Sequence, residues 1–403
     1  MIISLLHIAA SAKNNNKHDW PRFLGPHGNG SSDETGLLRS WPEKGPQKIW
    51  RVPIGIGYSG IAISNGRIYT MDGRNDSEYL VCLDAENGQE IWRNEVAPLF
   101  KEQLSGVGDG PRSTPTVDGE VVYALSGNGH LLAATTRAGA TIWKIDVKQK
   151  FEFDPPELWY GFSSSPFIDR NMLLLNVGGK GDRSIAALDK KNGETIWTAH
   201  QDIAAYSTPV AIEFGGKPQR VFVTGFNVVS LSQEGKMLWR YSWDGGNILK
   251  IANPVFVPPD KIFASASYSV GAVLLQMQRQ SDSLTVREVW KSDVMSNHFQ
   301  TSILLGKYLY GFDDGTFKCI EAETGKEMWA KRRLGKGSLI YADGMLIVLS
   351  ERGQLVLAEA NPQQNVELAS APVLTGRTWT PPSLANGRLY LRHQSEMVCL
   401  KLK

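Results

Sequence analysis

This chain has too little cysteine to be held together by disulfides. Three cysteines in 403 residues rule out the bridge-dense scaffolds on which small secreted domains depend. An excess of one charge is also missing. The net charge is +2 and charged residues make up 21%, so nothing in the balance points to nucleic acid or to an anionic membrane surface as a partner. Beyond the first dozen residues no apolar run is long enough to span a bilayer, and no transmembrane segment is expected. The seven histidines show neither i, i+4 nor H-x-H spacing, which removes the usual zinc patterns. No nucleophile elbow is present. Gly178-Gly179-Lys180-Gly181 resembles a phosphate loop only superficially, since no helix follows, and it reads as a hairpin turn.

What the chain does contain is one hairpin, many times over. Leu83 to Trp92 reads Leu-Asp-Ala-Glu-Asn-Gly-Gln-Glu-Ile-Trp, and it returns at Leu188 to Trp197 and at Ile320 to Trp329. Weaker copies end at Trp143 and Trp239, each with a glycine four residues earlier, Gly139 and Gly235. An apolar strand, a polar turn closed by glycine and a short strand ending in a large aromatic is marginal alone, so it must stack on copies of itself.

With the tryptophan as a ruler, Trp50, Trp92, Trp143, Trp197, Trp239, Trp290 and Trp329 are followed by Leu368 in the equivalent place. The spacings are 42, 51, 54, 42, 51, 39 and 39 residues, near the period of a four-stranded propeller blade. A small polar residue and often proline precede each unit: Ser113-Thr114-Pro115, Ser164-Ser165-Pro166, Ser207-Thr208-Pro209, Ala252-Asn253-Pro254 and Thr380-Pro381-Pro382. Proline is tolerated at the first residue of a strand, where little of the ladder is lost. The last unit stops without its fourth strand, whereas Gln47 to Pro53 is a strand with no unit before it. The two deficits fit together as an all-β ring, an eight-bladed propeller of four-stranded antiparallel blades closed by the N-terminal strand, which leaves no open sheet edge. A single monomeric ring over 47–403 is expected.

Cys82, Cys319 and Cys399 each stand directly before the Leu or Ile of a third strand, the place Ala187 takes in its own repeat. They read as small packing residues on different blades and as free thiols, because neighbouring sheets lie about 10 Å apart. Residues 1–12 form a short apolar run ending in Ala10-Ser11-Ala12, a possible signal peptide that suggests a periplasmic or otherwise extracytoplasmic protein. Residues 13–46 are an N-terminal arm. Within it, Asp19 to Gly30 is expected to pin itself to the ring by burying Trp20 and Phe23, with ligand binding through those rings as the second reading.

The Ser-Ser-Pro opening, the Ala-Leu-Asp-x-x-Asn/Thr-Gly-x-x-x-Trp hairpin and the eightfold count resemble the PQQ-repeat β-propeller family, which contains quinoprotein dehydrogenases and the BamB lipoproteins. The resemblance covers roughly Gln47 to the C-terminus and is specific for fold more than for function. A catalytic member is expected to show an adjacent cysteine pair, a calcium site of Glu, Asn and Asp, and a catalytic Asp. No Cys-Cys occurs here, and no loop combines those ligands at short spacing. Asp72, Asp76 and Asp313-Asp314 each belong to separate turns, where Asp is favoured for its own hydrogen bonding. No C-x-x-C-H is present to pass electrons onward. The lipid anchor of BamB is not carried over either, since no lipobox cysteine follows the first apolar run.

Connections between blades share a face with the turns between second and third strands. Two are long: Ala97 to Pro111, with Arg112 at its exit, and Lys148 to Gly161, with Trp159 and Tyr160 beside Asp154-Pro155-Pro156-Glu157. Long insertions on one face of a repeat array mark the binding face. Inner-strand starts at the same end bring Tyr58, Arg112, Phe162, Tyr206, Asn253, Gln300 and Trp379 to the channel mouth, with Lys250, His298 and Arg377 in adjoining turns. The candidate binding face is therefore Arg112, Trp159, Tyr160, Lys250, Asn253, His298, Gln300, Arg377 and Trp379. The reading favoured is a non-catalytic extracytoplasmic scaffold or binding module, similar to BamB in kind, for a protein or small ligand, with no metal and no cofactor. The alternative implied by the resemblance is a quinoprotein alcohol or sugar dehydrogenase holding pyrroloquinoline quinone and calcium at this mouth.

Overall fold

In the computed structural model each repeated hairpin docks its tryptophan onto the turn of the next one. The structure describes residues 18–104, 106–153, 158–281 and 283–403. The possible signal peptide, the spacer to Lys17 and the Asp154-Pro155-Pro156-Glu157 stretch lie outside the described residues. Among the described residues the strands form eight sheets, seven of four strands and one of five. Seven blades run inner to outer in chain order, the first being Ala62–Ser64, Arg67–Arg74, Ser77–Asp84 and Glu90–Pro98. The eighth consists of Ser383–Ala385, Arg388–Arg392 and Glu396–Lys401, with Lys48–Pro53 as its outer strand. Trp50 pairs with Cys399 and Arg51 with Val398, so the ring closes at the seam the sequence predicts. The prolines stand one residue before their strands, which begin at Thr116, Phe167, Val210, Val255 and Ser383.

The indole N–H of Trp50 donates to Ala85 O, and those of Trp92, Trp143 and Trp290 to Thr136 O, Lys190 O and Ala322 O, each at 3.1 Å. Trp197 reaches Gln233 O at 3.0 Å and Trp329 reaches Asn361 O at 2.8 Å. In every case the acceptor lies in the third-to-fourth strand turn of the following blade, where the ring also covers the turn glycine where there is one. A Cβ on Gly139 would fall 2.5 Å from Trp92, and one on Gly235 would fall 2.6 Å from Trp197. The glycine thus serves two blades at once: its own turn needs φ near +70°, and its neighbour's indole needs the missing side chain.

Two departures obey the same rule. Blade 5 replaces the short turn by the long hairpin Gly271–Gln280 and Ser283–Ser292, and Trp239 of blade 4 turns instead to Gln219 Oε1 of its own blade at 2.9 Å. Blade 8 has no turn between its third and fourth strands, because they come from opposite ends of the chain, and blade 7 carries no tryptophan. The position equivalent to tryptophan there is Ala369, paired with Leu357, and not Leu368. The structure thus corrects the ruler by one residue.

The small residue before each proline also links blades. Thr114 N donates to Ser165 Oγ, Ser165 N to Thr208 Oγ1, Thr208 N to Asn253 Oδ1 and Asn253 N to Thr301 Oγ1, at 2.8–3.0 Å. These rungs satisfy the backbone amides at strand entries that the ladder leaves open. Across the seam, Arg392 of blade 8 is fully buried and donates to Thr70 Oγ1 and Met71 O of blade 1, both at 2.9 Å. Cys82, Cys319 and Cys399 are buried free thiols.

The arm runs across the lower face, opposite the long connections. Trp20 is 2% exposed and exchanges backbone hydrogen bonds with Ile63. Pro21 O accepts from Val117 N of blade 2, and Ser31–Ser32 adds a parallel strand inside blade 7. The pinning role expected for Trp20 is what the structure shows. Phe23 does something else: it turns up into the ring axis and borders both the main cavity above and a small one below, the latter walled by Trp20, Leu24 and Pro382. The channel is therefore a cup with a floor.

Candidate functional site

The cup opens on the upper face and has a volume of about 120 Å³. Its wall is a belt of rings from five blade junctions. Tyr58 lies 5.7 Å from Trp379, Trp379 stacks 5.2 Å from Phe299 at 29°, and Tyr160 lies 6.0 Å from Tyr206. Each is held by the connection between two blades, where no ladder dictates the backbone and side chains can converge on the axis.

Arg112 stands within this belt. Its guanidinium carbon is 5.6 Å from the centre of Tyr58, 5.3 Å from Phe100 and 5.8 Å from Tyr160, cation–π distances all. It donates to Gly108 O at 2.6 Å and Gly110 O at 2.9 Å. Among the described residues no carboxylate pairs with it. The carboxylates whose field it feels, Glu102 and Glu78, are engaged by backbone amides: Glu102 takes Leu104 N at 2.8 Å, and Glu78 takes Gly127 N at 2.9 Å and Phe100 N at 3.2 Å. Burial lowers the Arg112 pKa and pushes that of Glu78 up to about 7.

His298 faces the cup from the opposite side. Its Nε2 shares a 2.7 Å hydrogen bond with the Tyr268 hydroxyl, and its Nδ1 has no partner. Burial, with Lys336 nearby, lowers its pKa to about 4, so the ring is neutral at ordinary pH. The Tyr206 hydroxyl is likewise buried without a partner; the amides of Trp159 and Tyr160 lie near it but outside hydrogen-bond geometry.

Of the nine residues expected at the mouth, Arg112, Tyr160, His298 and Trp379 line the cup. Arg377 sits on its rim, its guanidinium 4.9 Å from the Trp379 ring and bonded to Gly106 O and, at 3.1 Å, to Val107 O. Trp159 stands outside the cup and is 39% exposed. Lys250, Asn253 and Gln300 are turned away, contrary to expectation. Lys250 is wholly buried against Trp243, donates to Gly225 O and Asn247 O, and has its pKa lowered to about 8 by burial. Asn253 is a rung of the inter-blade ladder, as its place before proline indicates. Gln300 packs between Asn297 and Phe312 N. Phe23, Tyr268 and Phe299, which also line the cup, carry no repeat pattern in the sequence.

Pyrroloquinoline quinone, a fused planar ring system with three carboxylates, does not fit these residues. One guanidinium faces the cup, Lys250 and Arg377 are engaged elsewhere, and the volume suits a much smaller body. Among the described residues no three His, Cys, Asp or Glu side chains stand where they could hold a metal ion. Asp72 accepts from Gly55 N and Arg74 Nε at 2.8 Å, and Asp313 pairs with Lys318 at 2.7 Å. Neither is the turn residue expected: Asp72 is buried within the Arg67–Arg74 strand and holds the connection at Gly55, and Asp313 ends the Tyr308–Asp313 strand and holds Ser296 N at 3.0 Å.

The family model described as outer membrane protein assembly factor BamB matches residues 36–151 and 77–331. A curated relative, the outer membrane protein assembly factor BamB of Moranella endobia, is 20% identical over 338 residues, 78% of this chain and 70% of that protein. The crystal structure of BamB from Moraxella catarrhalis superposes with a TM-score of 0.61 at 17% identity, covering 89% of this chain and 98% of that one. Quinohemoprotein alcohol dehydrogenase from Comamonas testosteroni gives 0.66 at 11% identity, covering 97% and 81%. At such identities the structures speak for the fold alone, since one propeller scaffold hosts unrelated functions. The family match extends over most of the ring, from the Lys48–Pro53 strand through the first six blades with their Trp-on-turn contacts, and the chain belongs to the PQQ-repeat β-propeller family of the outer membrane protein assembly factor BamB.

Proposed function

We propose that the protein is a non-catalytic propeller working outside the cytoplasm, which holds another protein of the cell envelope on its loop-rich upper face. The observation that carries this reading is the pairing of family with geometry. The relatives are named assembly factors, and here the two long connections stand together on one face, with the Trp159 indole left open beside the cup. An exposed tryptophan at the edge of a preformed depression is the kind of anchor on which protein interfaces concentrate their energy. The misfit of the mouth to the quinone argues in the same direction. Among the described residues no helix is long and apolar enough to cross a membrane.

The test places a photo-crosslinking residue at Trp159 and, in a second protein, at Ile142 on the outer strand of blade 2, which is 45% exposed. In source cells a discrete adduct from position 159 alone is expected, weakened by Arg377→Ala. Equal labelling from both positions, or steady dye reduction by the purified protein with pyrroloquinoline quinone, calcium and alcohols, would overturn the reading.

A further inference from the structure

Three groups in the cup are left without the partners that burial demands. The Tyr206 hydroxyl and His298 Nδ1 have no hydrogen bond although their residues are only 3% and 7% exposed, and Arg112 has cation–π neighbours but no counter-ion among the described residues. Buried polar atoms are nearly always satisfied, and leaving one bare costs on the order of 1–3 kcal/mol. Two such atoms beside a guanidinium that no carboxylate contacts, all on residues that line one cavity, describe a site shaped for something with matching groups.

What matches can be read from chemistry and from the ring's symmetry. Arg112 lies at the junction of blades 1 and 2, and His298 at the junction of blades 5 and 6, which are diametrically opposed in an eight-bladed ring. The ligand therefore bridges the axis, with an anion at one end and a neutral polar group at the other. Tyr206 stands within the electrostatic reach of Arg112 and offers its O–H to the same anion. At the rim Arg377 is held by Gly106 O and Val107 O and Lys336 is paired with Asp314 at 3.9 Å, while the carboxylates of Glu78, Glu102 and Glu351 take Gly127 N, Leu104 N and the Trp379 indole respectively rather than Arg112. The walls are faces and edges of rings, and Phe23 closes the bottom. A cup of about 120 Å³ falls well below the roughly 300–1,000 Å³ of sites for drug-sized molecules; it takes one six-membered ring with a small group at each end.

We infer that the cup binds a single-ring aromatic carboxylate with a polar group para to it, the 4-hydroxybenzoate class, its carboxylate on Arg112 and Tyr206 and its far hydroxyl on His298 Nδ1. This deepens the reading of the mouth as a binding face but needs no protein partner, so it stands or falls separately from crosslinking at Trp159.

The probes are 4-hydroxybenzoate and 4-hydroxybenzyl alcohol, titrated into the full-length protein by calorimetry, with the change in tryptophan fluorescence that Trp379→Phe abolishes as second readout. Saturable binding of the acid is expected, weakened about tenfold in the alcohol, which lacks the charge-assisted pair. Arg112→Gln removes the preference for the acid and leaves the alcohol unchanged. Tyr206→Phe, which keeps the ring and its packing, weakens the acid about fivefold, in line with one lost hydrogen bond. Should Arg112→Gln fail to fold, Tyr206→Phe and the ratio of acid to alcohol still decide. No saturation with concentrations on the order of 10 mM, equal affinity for acid and alcohol, or indifference to Tyr206→Phe would each overturn the assignment.

Discussion

At the scale of single residues, the ring is built from one contact repeated between neighbours, an indole over a glycine. Gly139 shows both demands on that glycine, a φ of +68° and an indole that would meet a Cβ at 2.5 Å. Gly119 in the same blade has a φ of +62° but nothing within 4 Å of its Cβ position. Gly119→Ala should therefore cost only the left-handed backbone, about 1–2 kcal/mol, whereas Gly139→Ala adds the displacement of Trp92, for a total of about 3–4 kcal/mol. Equal losses in urea unfolding would show that the blade contact contributes nothing. A second residue-level expectation concerns Glu78. Desolvation raises its pKa from 4.5 to about 7 in the fold, so between those values the folded protein keeps a proton that the unfolded chain has released. Folding thus loses stability as pH rises from about 4.5 to 7, by up to about 3 kcal/mol. Measured at pH 5 and pH 8, wild type should fall relative to Glu78→Gln by a good part of that figure. Parallel pH curves would contradict it.

At the scale of strands and turns, what was legible in the sequence and what was not divides along the repeat. Seven of the eight blades carry the turn glycine, the tryptophan or the residue before proline, and the spacing places the eighth, so blade number, seam and free thiols follow from counting. The ruler slips only at blade 7, where the docking turn that selects tryptophan is missing and the equivalent residue is Ala369 rather than Leu368. Asn253 carried its own correction: standing where Ser165 and Thr208 stand, it had to be a rung between blades. Lys250 looked like a cation for the mouth, yet its stem lies in the wall against Trp243. The cup's floor and far side escaped the pattern because Phe23 comes from the arm, and Tyr268 from a tight turn with φ of +57°. Neither position recurs in the other blades, and convergence on the axis is a property of the closed ring rather than of any window of sequence.

At the scale of the whole molecule, closure rests on the pairing of two chain ends. Lys48–Pro53 completes the sheet edge of Glu396–Lys401, and the Trp50 indole then clamps blade 8 onto the Ala85 turn of blade 1. The arm before it contributes separately, by burying Trp20 and by setting Phe23 under the cup. Two shortened chains tell these parts apart. One beginning at Pro46 keeps the strand and loses the arm; it should remain a folded monomer, with lower stability and with weaker binding of any cup ligand, because the floor is gone. One beginning at Ile54 also loses the strand, leaving blade 8 with a bare edge of unpaired backbone and the Ala85 turn uncovered. Exposed edges of that kind recruit other strands, so this chain should aggregate or oligomerise at concentrations where the first stays monomeric in size-exclusion chromatography with light scattering. A monomer from both, melting at the same temperature, would mean that the seam does not hold the ring, and the cup would then need another account of how its opposite walls are kept at a fixed distance.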